Sequence, residues 1–144
     1  MAAIQSLDAL MEAARQARKR SYAPYSHYSV GAAIRGSDGR IYAGCNVENA
    51  AYPQGTCAEA GAIAAMVLGG GVAIAEVVVA GPPGRPCTPC GGCRQKLREF
   101  GRPCTAVHVC DPDALLLSTT IGELLPYDFG ADNLDSATDG DRPE

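Results

Sequence analysis

The 144-residue chain has no tryptophan, only two phenylalanines and only two histidines, and 19% of its residues are charged, for a net charge of −4. No stripe of lysine or arginine appears beyond Arg15, Arg18, Lys19 and Arg20. A nucleic acid or other polyanionic partner therefore lacks its usual electrostatic footprint. Those four cations fit the solvated end of a helix, where positive charge suits the dipole. No stretch approaches the ~20 consecutive apolar residues that cross a bilayer. The opening residues carry Asp8 and Glu12 in an amphipathic pattern, so neither a membrane span nor a signal or transit peptide is expected. There is no internal repeat, and neither His27 nor His108 sits at a metal-ligand spacing. The seven cysteines are an odd number in a chain long for a disulfide scaffold, which reads as reduced thiols and a cytoplasmic protein.

At 47% hydrophobic, this length buries one core, so residues 1–130 read as a single catalytic domain. Residues 131–144, acidic and nearly free of apolar groups from Asp132 onward, read as a loose tail. Ile4, Leu7, Leu10, Met11 and Ala14 recur at helical spacing and predict a first helix to about Arg20, stopped by Pro24. Strand patterning over residues 28–35, a turn at Gly36-Ser37-Asp38-Gly39 and a returning strand over 40–46 predict a hairpin. A helix over 57–68 that is apolar on nearly every face, a strand at 77–80, a helix over 91–100, a strand at 106–109 and a short apolar run at 115–117 complete an α/β alternation.

Two elements carry chemistry. Cys57-Ala58-Glu59 opens the first of the two later helices, and Pro89-Cys90-Gly91-Gly92-Cys93 opens the next. Alone, each has a bland reading: Thr56-Cys57-Ala58-Glu59 fits a capping box, and Cys90-Gly91-Gly92-Cys93 fits half a zinc knuckle or a redox pair. Together they supply three thiolates and a free carboxylate. Three soft ligands leave the fourth tetrahedral position of zinc open to water, which a closed structural site does not. A zinc site lowers the pKa of water from about 15.7 to about 7, and Glu59 stands ready to move the proton. The pairing of C/H-x-E with P-C-x-x-C is the signature of zinc nucleobase deaminases. Helix N-termini at both elements would help hold anionic thiolates.

Ala23-Pro24-Tyr25-Ser26-His27-Tyr28, Gly44-Cys45-Asn46-Val47-Glu48-Asn49-Ala50, Thr56-Cys57-Ala58-Glu59 and Pro89-Cys90-Gly91-Gly92-Cys93-Arg94-Gln95 follow one another in the order of the small cytidine deaminase family. The chain resembles that family over residues 23–129. The resemblance implies a three-layer α-β-α sandwich around a mixed sheet of about five strands, one Zn²⁺ per subunit, and a homotetramer with active sites near subunit interfaces. It also implies hydrolysis of cytidine and 2′-deoxycytidine to the uridine nucleosides and ammonia, a step of pyrimidine salvage. Carried over by position, Cys57, Cys90 and Cys93 hold zinc and Glu59 is the catalytic proton carrier. Asn46 and Glu48 grip the ribose 3′-hydroxyl, an amide and a carboxylate suiting a hydroxyl's acceptor and donor, and Glu48 disfavours polynucleotides by repelling a 3′-phosphate. Tyr28 replaces the usual phenylalanine against the pyrimidine. Phe129 matches an aromatic that closes the pocket, in this subunit or a neighbouring one, with Tyr25 and Tyr52 as further rim candidates.

Two departures stand out. Ala60 occupies a position where the family often has arginine, leaving the site formally more anionic, with helix dipoles, backbone amides or Arg94 to compensate. Pro86-Cys87-Thr88-Pro89-Cys90 also satisfies P-C-x-x-C, so Cys87 is an alternative ligand, or a fourth ligand of a structural Cys₄ site in which Glu59 is only a cap. Among enzymes, a relative acting on a nucleoside antibiotic such as blasticidin S is a second reading. An editing enzyme is disfavoured by the acidic balance and the lack of a stacking platform with basic flanks.

Overall fold

The computed structural model describes residues 6–135. Ser6 caps α1 (Leu7–Arg18) by accepting the Ala9 N–H at 3.3 Å. Ile4, the first apolar position of the expected stripe, lies outside the described residues, but Leu10, Met11 and Ala14 are buried as the periodicity requires. The helix stops two residues short of Arg20, because Tyr22 already bridges to Val47 in an extended conformation. The hairpin is β1 (Gly31–Gly36) and β2 (Ile41–Cys45), followed by a short 3₁₀ turn at Tyr52–Gln54. Then come α2 (Ala58–Leu68), β3 (Ile74–Ala80), α3 (Gly91–Phe100), β4 (Ala106–Cys110), β5 (Leu115–Thr120), α4 (Ile121–Leu124) and α5 (Ala131–Asp135). Of the stretch read as a tail, 131–135 is therefore a short helix, and 136–144 lie outside the described residues.

The five strands lie in the order β2-β1-β3-β4-β5, with β3 and β4 parallel and the other neighbours antiparallel. Alternate residues feed two cores. Ala33, Val78, Ala80 and Cys110 meet Leu10, Met11 and Ala14 of α1. On the opposite face Ala32, Ile34, Val77, Val79 and Val107 meet Ala58, Ala62, Ile63 and Met66 of α2, Leu97 of α3 and Ile121 of α4. Helices cover both faces, which is the three-layer sandwich. Glycine lets both helices come close: a Cβ at Gly31 would stand 2.0 Å from the Ala14 carbonyl oxygen, and one at Gly44 would stand 2.3 Å from the Ala62 nitrogen.

The register decides where a site can form. Cys45 pairs with Gly31, Gly31 with Ala80, and Ala80 with Cys110. The carboxyl ends of β2, β3 and β4 therefore lie along one edge of the sheet, where open α/β sheets gather their ligands. Three segments meet there: the chain before β1, the chain from Asn46 to Cys57, and the chain from Gly81 to Cys90.

Candidate active site

Cys57 is the N-cap residue of α2 and Cys90 that of α3, both with extended backbone, and Cys93 follows in the first turn of α3. N-cap positions normally take a small oxygen acceptor for the free amides of the first turn; a thiolate there gains from the same amides and dipole. The two helices aim these residues at each other, so the Sγ atoms of Cys57, Cys90 and Cys93 all lie within 4.8 Å, with Cys57 and Cys90 3.9 Å apart. Zinc bound tetrahedrally with Zn–S near 2.3 Å sets its sulfurs ~3.8 Å apart, so the cluster fits one zinc ion. Cys87 stands outside it, which selects the second of the two overlapping P-C-x-x-C motifs.

The thiols resist ionising together. Burial, then the Glu59 charge, push the Cys93 thiol far up, and burial raises Cys57. Only Cys90 is lowered, chiefly by the Cys93 backbone N–H. A divalent cation is what makes three thiolates tolerable in this space, and its binding releases their protons. Arg94 makes no direct bond to the sulfurs: its Nε and Nη1 donate to the carbonyls of Pro89 at 2.7 Å and Leu124 at 2.9 Å, bracing the loop that carries Cys90.

Glu59 is only 4% exposed, and its Oε2 lies 3.4 Å from Cys93 Sγ. The capping-box alternative fails, because the helix starts one residue later than that box requires and Cys57 is the cap. Burial holds the Glu59 pKa above the usual carboxylate range, against backbone, Cys93 and Lys96 contributions that lower it. A cavity of about 350 Å³ opens onto Cys57, Glu59 and Cys90 and is walled by Tyr28, Asn46 and Glu48. Of the eight residues given a metal, catalytic or substrate-contacting role, the further rim candidates Tyr25 and Tyr52 aside, seven thus surround one space, Cys93 through its place in the thiol cluster.

Phe129 is the exception. It is 56% exposed and does not line the cavity of its own chain; its carbonyl accepts Gln95 Nε2 at 2.9 Å, while an Arg98–Asp128 ion pair ties the segment to α3. Tyr25 and Tyr52 meet edge to face at 5.8 Å and line a second hollow that shares Ser26 and Glu48 with the first. Ser26, which carries no motif signal of its own, and Cys87, a rival ligand by spacing, also line the cavity. The half-buried Cys87 thiol beside the Tyr28 hydroxyl pushes that phenol up to about 12.

Glu48 differs from Glu59 in every respect. Its Oε1 accepts the backbone N–H groups of Tyr25 at 3.0 Å and Ser26 at 3.1 Å, and its Oε2 accepts the Ser26 hydroxyl. These bonds, the Ser26 hydroxyl first, hold its pKa below the usual range. His27, at φ 56°, occupies the left-handed region and turns the chain so that Tyr25 and Ser26 can wrap the carboxylate. Asn46 is equally occupied: its Oδ1 accepts Ser21 and the Val30 N–H, and its Nδ2 donates to the Tyr28 carbonyl at 2.8 Å.

Comparison with known proteins agrees with this geometry. The sequence model for the cytidine and deoxycytidylate deaminase zinc-binding region matches residues 4–109. The chain is 35% identical to a cytidine deaminase of Sporosarcina psychrophila over 133 residues, 92% of this chain and 98% of that one. With a cytidine deaminase of Mycobacterium tuberculosis it shares 42% identity over 123 residues, 84% and 87% of the two chains. The crystal structure of a cytidine deaminase from Burkholderia pseudomallei superimposes with a TM-score of 0.82 at 40% identity, covering 87% of this chain and all of the other. No described helix is long and apolar enough to cross a membrane. Helix-capping thiols in one cluster, a buried carboxylate against them and relatives matched nearly end to end lead to one conclusion: the chain belongs to the cytidine and deoxycytidylate deaminase family.

Proposed function

We propose that the protein is a zinc-dependent cytidine deaminase that hydrolyses cytidine and 2′-deoxycytidine to uridine and 2′-deoxyuridine, releasing ammonia, in pyrimidine salvage. The observation that carries this reading is Glu59, a buried carboxylate held against a three-thiol cluster that faces an open cavity. Cys57, Cys90 and Cys93 hold the metal; when bound, zinc makes water nucleophilic near neutral pH by lowering its pKa to about 7. Glu59 takes a proton from the attacking water and delivers it to ring N3 as the oxygen bonds to C4. It then passes the proton of the new C4 hydroxyl to the amine, so the C–N bond breaks and ammonia leaves. A carboxyl whose pKa is raised by burial suits both taking and giving that proton.

Tyr28 walls the pyrimidine, while Asn46 and Glu48 take the ribose 3′-hydroxyl. Residues 1–130 act as one catalytic domain in the cytoplasm. The exposed aromatic Phe129, away from the cavity of its own chain, supports a homotetramer in which a neighbouring copy supplies it to the rim. The test is to incubate purified protein with cytidine, deoxycytidine, CMP and blasticidin S, following ultraviolet loss of the aminopyrimidine and zinc content together. Turnover of the two nucleosides is expected; a folded, zinc-loaded protein inactive on both overturns the reading.

A further inference from the structure

The Ser26 hydroxyl has two partners. It donates to Glu48 Oε2 and accepts the Tyr28 N–H at 3.0 Å, while Asn46 Nδ2 holds the Tyr28 carbonyl. Both backbone polar groups of Tyr28 are therefore fastened to side chains of the sugar end of the cavity, and Ser26 is the link between Tyr28 and Glu48. An ionised carboxylate has about four acceptor sites. Tyr25, Ser26 N–H and Ser26 Oγ fill three of those on Glu48, leaving one on Oε2. Asn46 Nδ2 keeps one hydrogen without a partner among the described residues. One acceptor and one donor remain, which is the complement of a single hydroxyl. Ser26 itself has spent its only proton on Glu48, so it cannot serve as that hydroxyl's donor.

Resting on the nucleoside reading above, we infer that Ser26 is a positioning and specificity residue: it fixes which acceptor site of Glu48 faces the sugar and ties that site to the ring of Tyr28. Removing its hydroxyl frees a second acceptor site on Oε2, lets the carboxylate rotate, and leaves the Tyr28 N–H without its partner. The sugar hydroxyl then meets a group that is no longer held for it. The chemistry at Glu59 and the thiols is untouched, so the loss falls on binding: a smaller part, through Tyr28, on every substrate, and the larger part on substrates that carry the 3′-hydroxyl.

The experiment compares cytidine with 3′-deoxycytidine in wild-type protein, Ser26→Ala and Ser26→Thr, each checked for zinc content and melting temperature. Ser26→Ala is expected to raise KM for cytidine about tenfold, the scale of a lost hydrogen bond to a charged group, with kcat nearly unchanged. The same variant is expected to raise KM for 3′-deoxycytidine by a much smaller factor, and Ser26→Thr restores most of the cytidine KM. If Ser26→Ala does not fold, Ser26→Cys, similar in shape but a weak donor, makes the same comparison. An equal factor on both substrates, or a loss confined to kcat, overturns the inference while leaving the deaminase reading intact. A wild-type protein inactive on every nucleoside takes down the deaminase reading, and this inference with it.

Discussion

Glu48 and Glu59 line one cavity, and their surroundings drive them in opposite directions. Glu59 sits among thiols and apolar helix residues, with its charge penalised by burial. Glu48 is wrapped by two backbone N–H groups and a hydroxyl at the surface, with its charge favoured. Under the proposed function one residue type serves as a proton carrier and as a fixed anion, and the assignment comes from environment rather than from the side chain.

The largest effect that sharpens this contrast is in turnover. Glu59→Gln keeps shape and loses the proton carrier, so kcat is expected to fall by ~10²–10⁴-fold with zinc content and the native fold retained. Glu48→Gln keeps the proton carrier and loses the charge, so its cost falls on KM, about ten- to a hundredfold for a charged hydrogen bond. Steady-state kinetics on cytidine separates them; a kcat defect of equal size in both variants would erase the division of labour.

The same contrast appears in stability against pH, measured by urea unfolding of zinc-free protein between about pH 3 and 8. Glu48 has a folded pKa below its unfolded value, so its contribution is present above the unfolded pKa and lost as pH falls through the folded one. Glu59 has a folded pKa above its unfolded value, so its contribution is present below the unfolded pKa and lost as pH rises through the folded one. Glu48→Gln should flatten the acid limb, and Glu59→Gln should remove a loss of stability on the rising side. Parallel curves for the two variants contradict the opposed settings.

How much of this was legible beforehand depended on whether the cause was local. Cys57, Cys90 and Cys93 stand out because metal chemistry demands soft ligands at helix-start spacing, and the strand stands out at 77–80 as an unbroken apolar run, although it begins three residues earlier, at Ile74, across Glu76. The wrap around Glu48 spans 22 and 23 residues and depends on a left-handed residue, His27, that carries no glycine signal. The Arg35–Glu76–His108–Ser118 network exists only through the sheet register that aligns four strands. The pattern T-x-x-E occurs twice and means two things. At Thr120-Ile121-Gly122-Glu123 it is a capping box, with Glu123 N–H on Thr120 Oγ1 and Thr120 N–H on Glu123 Oε2. At Thr56–Glu59 the helix starts at Ala58, and the carboxylate turns inward to the thiols. Nothing local distinguishes the two; the partner thiols, more than thirty residues further along the chain, do.

The smallest expected effect concerns Ala60, beside Glu59 in the first turn of α2 and partly exposed. The influences acting on the three thiols are burial, one another, Glu59 and nearby backbone N–H groups, and Arg94 is committed to carbonyl oxygens. The N-termini of α2 and α3, capped by Cys57 and Cys90, contribute to charge compensation at the sulfurs. Ala60→Arg adds a cation near the site, which favours the deprotonated form of whatever ionisation limits turnover on the acid side. Its apparent pKa should move down, by less than about one unit, because partly exposed charges are screened. A pH–rate profile of both proteins decides the matter. A shift to lower pH means the alanine protein runs with an undercompensated site, and superimposable profiles mean the groups already around the thiols carry the whole load.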